Sequence, residues 1–500
     1  MNLPLVPNVI TGEQIGEGGP QPLIVRNPAT GEPLAEVAQA DAAAIERAVQ
    51  ASDQAFRSWS ELPLGRRAAV LFKLRELLVA ATDELAAIIS REQGKVLSDA
   101  RGEVARGLEV VDFACGIPQL LKGEYSAQVA GGVDVVSWRE PLGVTVGITP
   151  FNFPVMVPLW MAPMAIATGN SFILKPSPQD PSAAVALAKL WRSAGLPDGV
   201  FQVLQGGADV VNGLIEHHLV KAVSFVGSTP VARYIHRAAV AAGKRVQALG
   251  GAKNHAVVLA DANAEFAADS VVAAAFGAAG QRCMALSIVL VEEAIADQFV
   301  ERVVAKAKTV KVAAGVDPAA DMGPMISALA RDRAEEIVGS AEYVGARIVL
   351  DGRGLRPTGL EGGFFTGPTV LDAVRPDMRA YREEIFGPVL GVVRIKDLDE
   401  GIRLINDNPY GNGAALFTGS GEAARRFERA VHVGMIGVNV PIPVPVGFHS
   451  FGGWKDSLIG DFHIYGPEGV AFYTQAKVST RRWPAPDHRP EASFNFTPRA

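Results

Sequence analysis

Ala222-Val223-Ser224-Phe225-Val226-Gly227-Ser228-Thr229-Pro230-Val231, followed by a helical pattern to Ala242, shows in one place how the chain is built. An apolar run of strand length passes through a Gly-Ser-Thr turn into a helix opened by proline, with no spacer between them. Working outward, strand-like runs recur at Val133–Trp138, Gly143–Thr149, Ser171–Leu174, Phe201–Leu204 and Ala256–Leu259, with a further helical pattern at Ser182–Ala194. Strand then helix, repeated, is the signature of βαβ units and a parallel sheet, so the fold class is α/β. Upstream, apolar residues at three- and four-residue spacing (Leu71, Leu74, Leu78, Leu85, Ile88) predict amphipathic helices over Ala43–Trp59 and Arg66–Ile89, and a largely helical first hundred residues. Beyond Gly250-Gly251 a second α/β block is expected: helix Phe266–Ala279, strand Ser287–Val291, and helices Ala296–Ala313 and Ile326–Val344. No period of repeat-protein length is present, which excludes a solenoid.

The composition bounds the function. The 500 residues, 48% hydrophobic and 20% charged, suffice for two or three packed domains and exclude a chain dominated by disorder. Lys and Arg total 47 against 53 Asp and Glu, a net charge of −6, so no global positive field exists for nucleic acid or anionic lipid. The expected partner is a small molecule. Two cysteines, Cys115 and Cys283, cannot build a disulfide framework or a thiolate zinc site, and their scarcity fits a reducing compartment. The start, Met1 to Pro7, lacks the basic and apolar regions of a secretory signal, so a cytoplasmic location is expected. Pro141 to Leu174 carries no charge, but its prolines argue for a buried core segment over a membrane span.

Four clusters could carry chemistry. Cys283 sits in Gly280-Gln281-Arg282-Cys283-Met284, between a helix and a strand, where a neighbouring Arg would favour the thiolate. A buried structural thiol is the competing reading, and the one that suits Cys115 in its apolar stretch. Asn152, in Thr149-Pro150-Phe151-Asn152-Phe153-Pro154, is an amide on a proline-stiffened turn after a strand, able to donate to an oxyanion or simply to cap the turn. Lys175 ends an apolar strand, suited either to a ribose or phosphate or to snorkelling at the surface. Gly227-Ser228-Thr229 opens a helix whose free N–H groups can receive a pyrophosphate, as many ordinary turns could. No Gly-x-Gly-x-x-Gly follows any strand, and motifs of zinc hydrolases, P-loop proteins and serine esterases are absent. The eight histidines, including adjacent His217 and His218, show no ligand spacing, so no metal is expected.

Taken in order, these segments, together with Lys175-Pro176-Ser177, Leu249-Gly250-Gly251 and Glu383-Glu384-Ile385-Phe386-Gly387-Pro388, resemble the aldehyde dehydrogenase superfamily from about Asn27 to Gln475. The resemblance implies a Rossmann-type cofactor domain (1–121 and 140–249), an α/β catalytic domain (250–445) and a small β oligomerisation element (122–139 and 466–482). A return segment (446–465) would pack on the cofactor domain, leaving a tail at 483–500. It further implies Cys283 as nucleophile, with Asn152 and the Cys283 N–H as oxyanion donors. NAD would contact Thr149, Phe151, Lys175, Ser177, Gln179, Gly227, Ser228, Gly250, Glu384 and Phe386. Pro178 stands where hydrolytic NAD users often carry a Glu. A homodimer or homotetramer is the family's expectation.

One departure redirects the chemistry. Hydrolytic members carry a Glu before Leu-Gly-Gly that activates the deacylating water, whereas this chain reads Gln247-Ala248-Leu249. Alanine cannot accept a proton, so a thioester on Cys283 would await a better nucleophile than water, and coenzyme A is the acceptor this implies. The subgroup resembled is that of methylmalonate-semialdehyde dehydrogenases, also through Gly251-Ala252-Lys253-Asn254-His255 and Val438 to Pro445. A semialdehyde bearing a carboxylate needs cations, for which Arg106 and Arg282 are the candidates, with Phe153 and Phe451 as apolar walls. The competing readings are a water-using aldehyde dehydrogenase releasing free acid, and an inactive binding or structural relative.

Overall fold

The computed structural model describes residues 3–16, 19–484 and 486–487. Two large sheets face each other across a cleft. In the first, the strands run in the order Leu458–Ile459, Arg245–Leu249, Val220–Val226, Val144–Ile148, Ser171–Lys175, Phe201–Val203, Asn8–Ile10, Glu13–Ile15. Its inner strands, from Arg245–Leu249 to Phe201–Val203, are parallel, and the flanking ones antiparallel. The chain steps outward one way from Val144–Ile148 through Ser171–Lys175, and the other way from Val220–Val226 to Arg245–Leu249. Between Val144–Ile148 and Val220–Val226 lies the switch point at which open α/β sheets bind ligands, beyond the carboxyl ends of the strands. The second sheet, in the order Arg347–Leu350, Thr369–Asp372, Val389–Ile395, Leu286–Glu292, Asn254–Val258, Gly413–Phe417, Met435–Val438, is parallel except for its first strand.

The charge-free stretch is core: its helix Met156–Ala167 is buried at every residue and contains Pro163. No helix among the described residues is long and apolar enough to cross a membrane. A separate antiparallel sheet joins Glu124–Ala130, Val133–Pro141 and Thr474–Arg482. Gly466–Phe472, placed by the sequence in the same β element, is instead a helix opened by proline. Of the expected tail, residues 485 and 488–500 lie outside the described residues.

The elements differ from the sequence expectations where local pattern is overridden. The first hundred residues begin with five short strands, through Pro33–Val37, that take their partners from distant strands or from one another. The expected helix Arg66–Ile89 is two helices, Leu64–Ala80 and Thr82–Glu92, with Thr82 Oγ1 turned back onto the Leu78 and Val79 carbonyls. The helix expected to reach Ala313 ends at Ala307, where apolar spacing continues but the backbone turns away. The one expected over Phe266–Ala279 ends at Phe276, because Ala278 and Ala279 adopt the left-handed conformation (φ 52° each) and swing the chain toward the cysteine.

Candidate active site

The cleft, about 1040 Å³, is lined from both sheets. The first contributes residues just beyond its strand ends: Thr149, Phe151 and Asn152; Lys175 and Ser177; Gly227, Ser228 and Thr229; Gly250 and Gly251. The second contributes residues just ahead of its strands: Cys283 before Leu286–Glu292, and Glu384 and Phe386 before Val389–Ile395. Cys283 thus enters the second sheet at the edge that meets the strand ends of the first.

The cysteine turn is shaped by backbone. Gly280 has φ +69°, and a Cβ there would lie 2.2 Å from the Gly387 carbonyl oxygen, so only glycine lets the turn pass the Glu384–Phe386 loop. The Cys283 carbonyl accepts from Asn254 Nδ2 (2.9 Å) and Asn412 Nδ2 (3.1 Å). Both cysteines are free, Cys115 in the core and Cys283 half-buried at the cleft. The expected activation by Arg282 is not what the site provides. Burial pushes the Cys283 thiol up to about 12, the Glu384 carboxylate adds to this, and the Cys283 and Met284 N–H groups and Arg282 oppose it only in part. Arg282 gives its charge elsewhere, its Nη2 bonding Asp99 Oδ1 at 2.7 Å.

Asn152 is almost fully buried, yet its carboxamide has no hydrogen-bond partner among the described residues and reaches the cleft. Its main-chain carbonyl, by contrast, accepts from Lys95 Nζ at 2.6 Å. Lys175 is held by the Gly206 carbonyl (3.0 Å), and burial brings its pKa down to about 8. Glu384 accepts the Ala252 N–H at 2.8 Å, and burial raises its pKa. Phe386, in the left-handed region, meets Phe151 edge to face at 5.8 Å. Ser228 caps the helix Thr229–Ala241 with its side chain unused, so the first N–H groups of that helix face the cleft. Cleft size, the helix start, Lys175, Glu384 and the unpartnered Thr149 hydroxyl together fit a dinucleotide.

Other expected residues lie elsewhere. Gln179 lines a separate depression with Arg26, Glu32 and Phe364, because Ser177 Oγ turns the chain there by accepting the Gln179 N–H. Phe153 is core, its ring beneath Lys95 Nζ at 4.2 Å. Phe451 packs on Trp160 (4.8 Å) and, with it, on Tyr465 (6.3 Å). Arg106 pairs with Glu109 at 2.9 Å and is half-exposed. Its Nη2 reaches the Val444 carbonyl at 3.5 Å, and it lies outside the lining of the cleft. The sequence reading missed Lys95, Asp99, Glu103 and Tyr465. The four-residue spacing of Asp99 and Glu103 on one helix was the available signal.

Ala248 is fully buried among Ile148, Phe225 and Ile235, and Gln247 is tied to Ser224 Oγ and the His463 carbonyl. Neither can serve a water molecule. With Cys283, Asn152 and the strand-end residues gathered at one cleft, the chain also matches the aldehyde dehydrogenase family pattern over residues 16–479. The chain belongs to the aldehyde dehydrogenase family. It is 49% identical over 490 residues to a malonate-semialdehyde dehydrogenase of Pseudomonas aeruginosa, with 98% of each chain covered. Its structure is similar to that of a methylmalonate-semialdehyde dehydrogenase from Oceanimonas doudoroffii (TM-score 0.95, 48% identity, 97% of this chain and 99% of the other). A Sinorhizobium meliloti structure described as the same kind of enzyme, complexed with NAD, gives a TM-score of 0.96 at 42% identity, covering 97% and 99%.

Proposed function

We infer that this aldehyde dehydrogenase oxidises malonate and methylmalonate semialdehyde with NAD, loses CO2, and transfers an acetyl or propionyl group to coenzyme A through a thioester on Cys283. The observation that carries this reading is that Ala248, fully buried two residues before Gly250 of the cleft, offers no proton acceptor where a water-activating carboxylate would stand. The names of the Pseudomonas and Oceanimonas relatives point to the same substrates.

The Cys283 thiolate adds to the aldehyde carbon, and the oxyanion is met by the Asn152 carboxamide and the Cys283 N–H. Lys175, Glu384, Gly227 and Ser228, with the start of the Thr229–Ala241 helix, would hold NAD, which would supply the hydride acceptor. Collapse of the oxyanion with loss of hydride leaves the thioester on Sγ. The substrate carboxylate, then β to a thioester carbonyl, leaves as CO2 with its electron pair moving onto that carbonyl, where the same amide holds the enolate oxygen until carbon is protonated. Arg106 is the cation for the carboxylate, and Arg282 could join it only by leaving Asp99. With alanine at 248 in place of a water base, the thiol of coenzyme A takes the acyl group. The exposed sheet of Glu124–Ala130, Val133–Pro141 and Thr474–Arg482, with Tyr125 and Val478 more than half exposed, suits assembly into a homodimer or homotetramer in the cytoplasm.

The test is NADH formation from malonate semialdehyde with and without coenzyme A, with products identified by mass. Acetyl-CoA and a strong dependence on coenzyme A are expected. Free acid at an undiminished rate without coenzyme A would return the protein to the hydrolytic group.

A further inference from the structure

Behind the oxyanion loop lies a fully buried ion pair that the reaction itself does not use. Lys95 Nζ and Glu103 Oε2 are 2.7 Å apart, both side chains at 0% exposure. Charges so placed are costly unless every donor and acceptor is spoken for. They are. Lys95 Nζ points to the Glu103 carboxylate, to the Asn152 carbonyl at 2.6 Å and to the face of Phe153, filling its three directions. Glu103 Oε1 accepts the N–H groups of Val155 (2.8 Å) and Met156 (3.1 Å). The pair therefore grips the oxyanion loop on both sides of the Phe153-Pro154 step, through main-chain atoms of Asn152, Val155 and Met156. The Asn152 carboxamide has no hydrogen-bond partner among the described residues, so its direction is set by the backbone that carries it and the packing around it.

Asp99 and Glu103 are four residues apart on the helix Leu97–Cys115 and share one face. Asp99 holds Arg282, the neighbour of the nucleophile, while Glu103 holds the loop of the oxyanion donor. One rigid helix thus references the two reacting partners to each other, although Asn152 and Cys283 come from different sheets.

We propose that Lys95 and Glu103 are positioning residues for the oxyanion site, fixing the Asn152 carboxamide against Cys283 through the main chain of the loop. The proposal rests on Asn152 being the oxyanion donor, and the experiment separates the two. It tracks the pre-steady-state burst of NADH without coenzyme A, in the full-length enzyme, for Asn152→Ala, Lys95→Met and the combined variant. A lost oxyanion donor typically costs ~10²–10³-fold, so Asn152→Ala should fall by that amount; an unchanged burst there removes the underlying reading whatever Lys95 does. Lys95→Met should fall by ~10²-fold through the same donor. The combined variant should lie within about threefold of Asn152→Ala, because the two act through one interaction. NAD affinity and the rate of Cys283 alkylation should be unchanged in Lys95→Met.

The second variant, Lys95→Met with Glu103→Gln, keeps an acceptor for the Val155 and Met156 N–H groups and removes both charges, leaving only the grip on Asn152 lost. It should show the same slow burst with a folded, NAD-binding protein. A burst near wild type in either Lys95 variant, multiplicative losses with Asn152→Ala, or failure of both Lys95 variants to fold would overturn the proposal.

Discussion

The two sides of the reaction centre are held by opposite means. The Asn152 loop is gripped by buried charge: the Lys95 cation on the Asn152 carbonyl and the Glu103 carboxylate on the Val155 and Met156 amides. The cysteine turn has only a partly exposed ion pair, Arg282 with Asp99, beside it, and is held at Cys283 itself by neutral amides, Asn254 and Asn412 on its carbonyl, and by a backbone forced through left-handed alanines and Gly280. The difference reflects the separate tasks of the two sides. An amide that only donates gains from rigid placement, and full charges at its back do not alter its own protonation. A thiol that must ionise is sensitive to every nearby charge, and here the strongest influence beside burial is the unfavourable one of Glu384. Burial and the Glu384 carboxylate both favour the protonated thiol.

The sharpest break in this comparison is to remove the nucleophile. Cys283→Ala should abolish turnover, by ~10⁴-fold or more, while leaving NAD binding intact by fluorescence titration, since Sγ is not among the groups proposed to hold NAD. Next comes the neutral grip. Asn254→Ala removes two donors, to the Cys283 and Ala285 carbonyls, and the acceptor of the Gly413 N–H. Leaving such buried groups unpaired costs ~1–3 kcal/mol each, so chemical denaturation should show a loss of several kcal/mol. The burst rate of the protein that remains folded should fall by only about tenfold, because the neighbouring Asn412 still holds the same carbonyl.

Much of this site was legible in the chain because it sits at strand ends. Thr149, Lys175, Gly227 and Gly250 each stand at or directly after the end of an apolar run, and the topology gathers them at the switch point without a single Gly-rich fingerprint. The cysteine turn was half legible: Gly280 marked it, but an alanine-rich run reads as helix, and left-handed alanines, costing ~1–2 kcal/mol per residue, leave no trace in a pattern of side chains. What could not be read was pairing over distance. Arg282 beside Cys283 suggests thiolate activation only until Asp99, far back in the chain, is seen to take its charge. Phe153 reads as a pocket wall beside Asn152 until Lys95 is found over its ring.

The thiol itself gives a finer test. With its pKa pushed up to about 12, alkylation of Cys283 by iodoacetamide in the cofactor-free enzyme should rise about tenfold per pH unit from pH 7 to 10 with no plateau. Glu384→Gln removes the carboxylate that opposes the thiolate, so alkylation should be several-fold faster at each pH where Glu384 is ionised. A plateau near neutral pH would show that the turn activates the thiol unaided.

The smallest effect concerns charge under the Glu384 loop. Lys253 is buried with its Nζ on the Glu383 carbonyl at 2.8 Å, and burial brings its pKa down to about 7 from 10.5. Between these values the unfolded chain binds the proton and the folded one does not, so folding is favoured increasingly as pH rises through that window. The slope from this one group is at most ~1.4 kcal/mol per pH unit. Denaturation of the wild type should therefore gain stability from pH 7 to 10 relative to Lys253→Met, which has no proton to shed. Equal profiles would mean that Lys253 stays charged in the fold, with the Glu384 carboxylate as its partner, and that the cysteine side is held by buried charge after all.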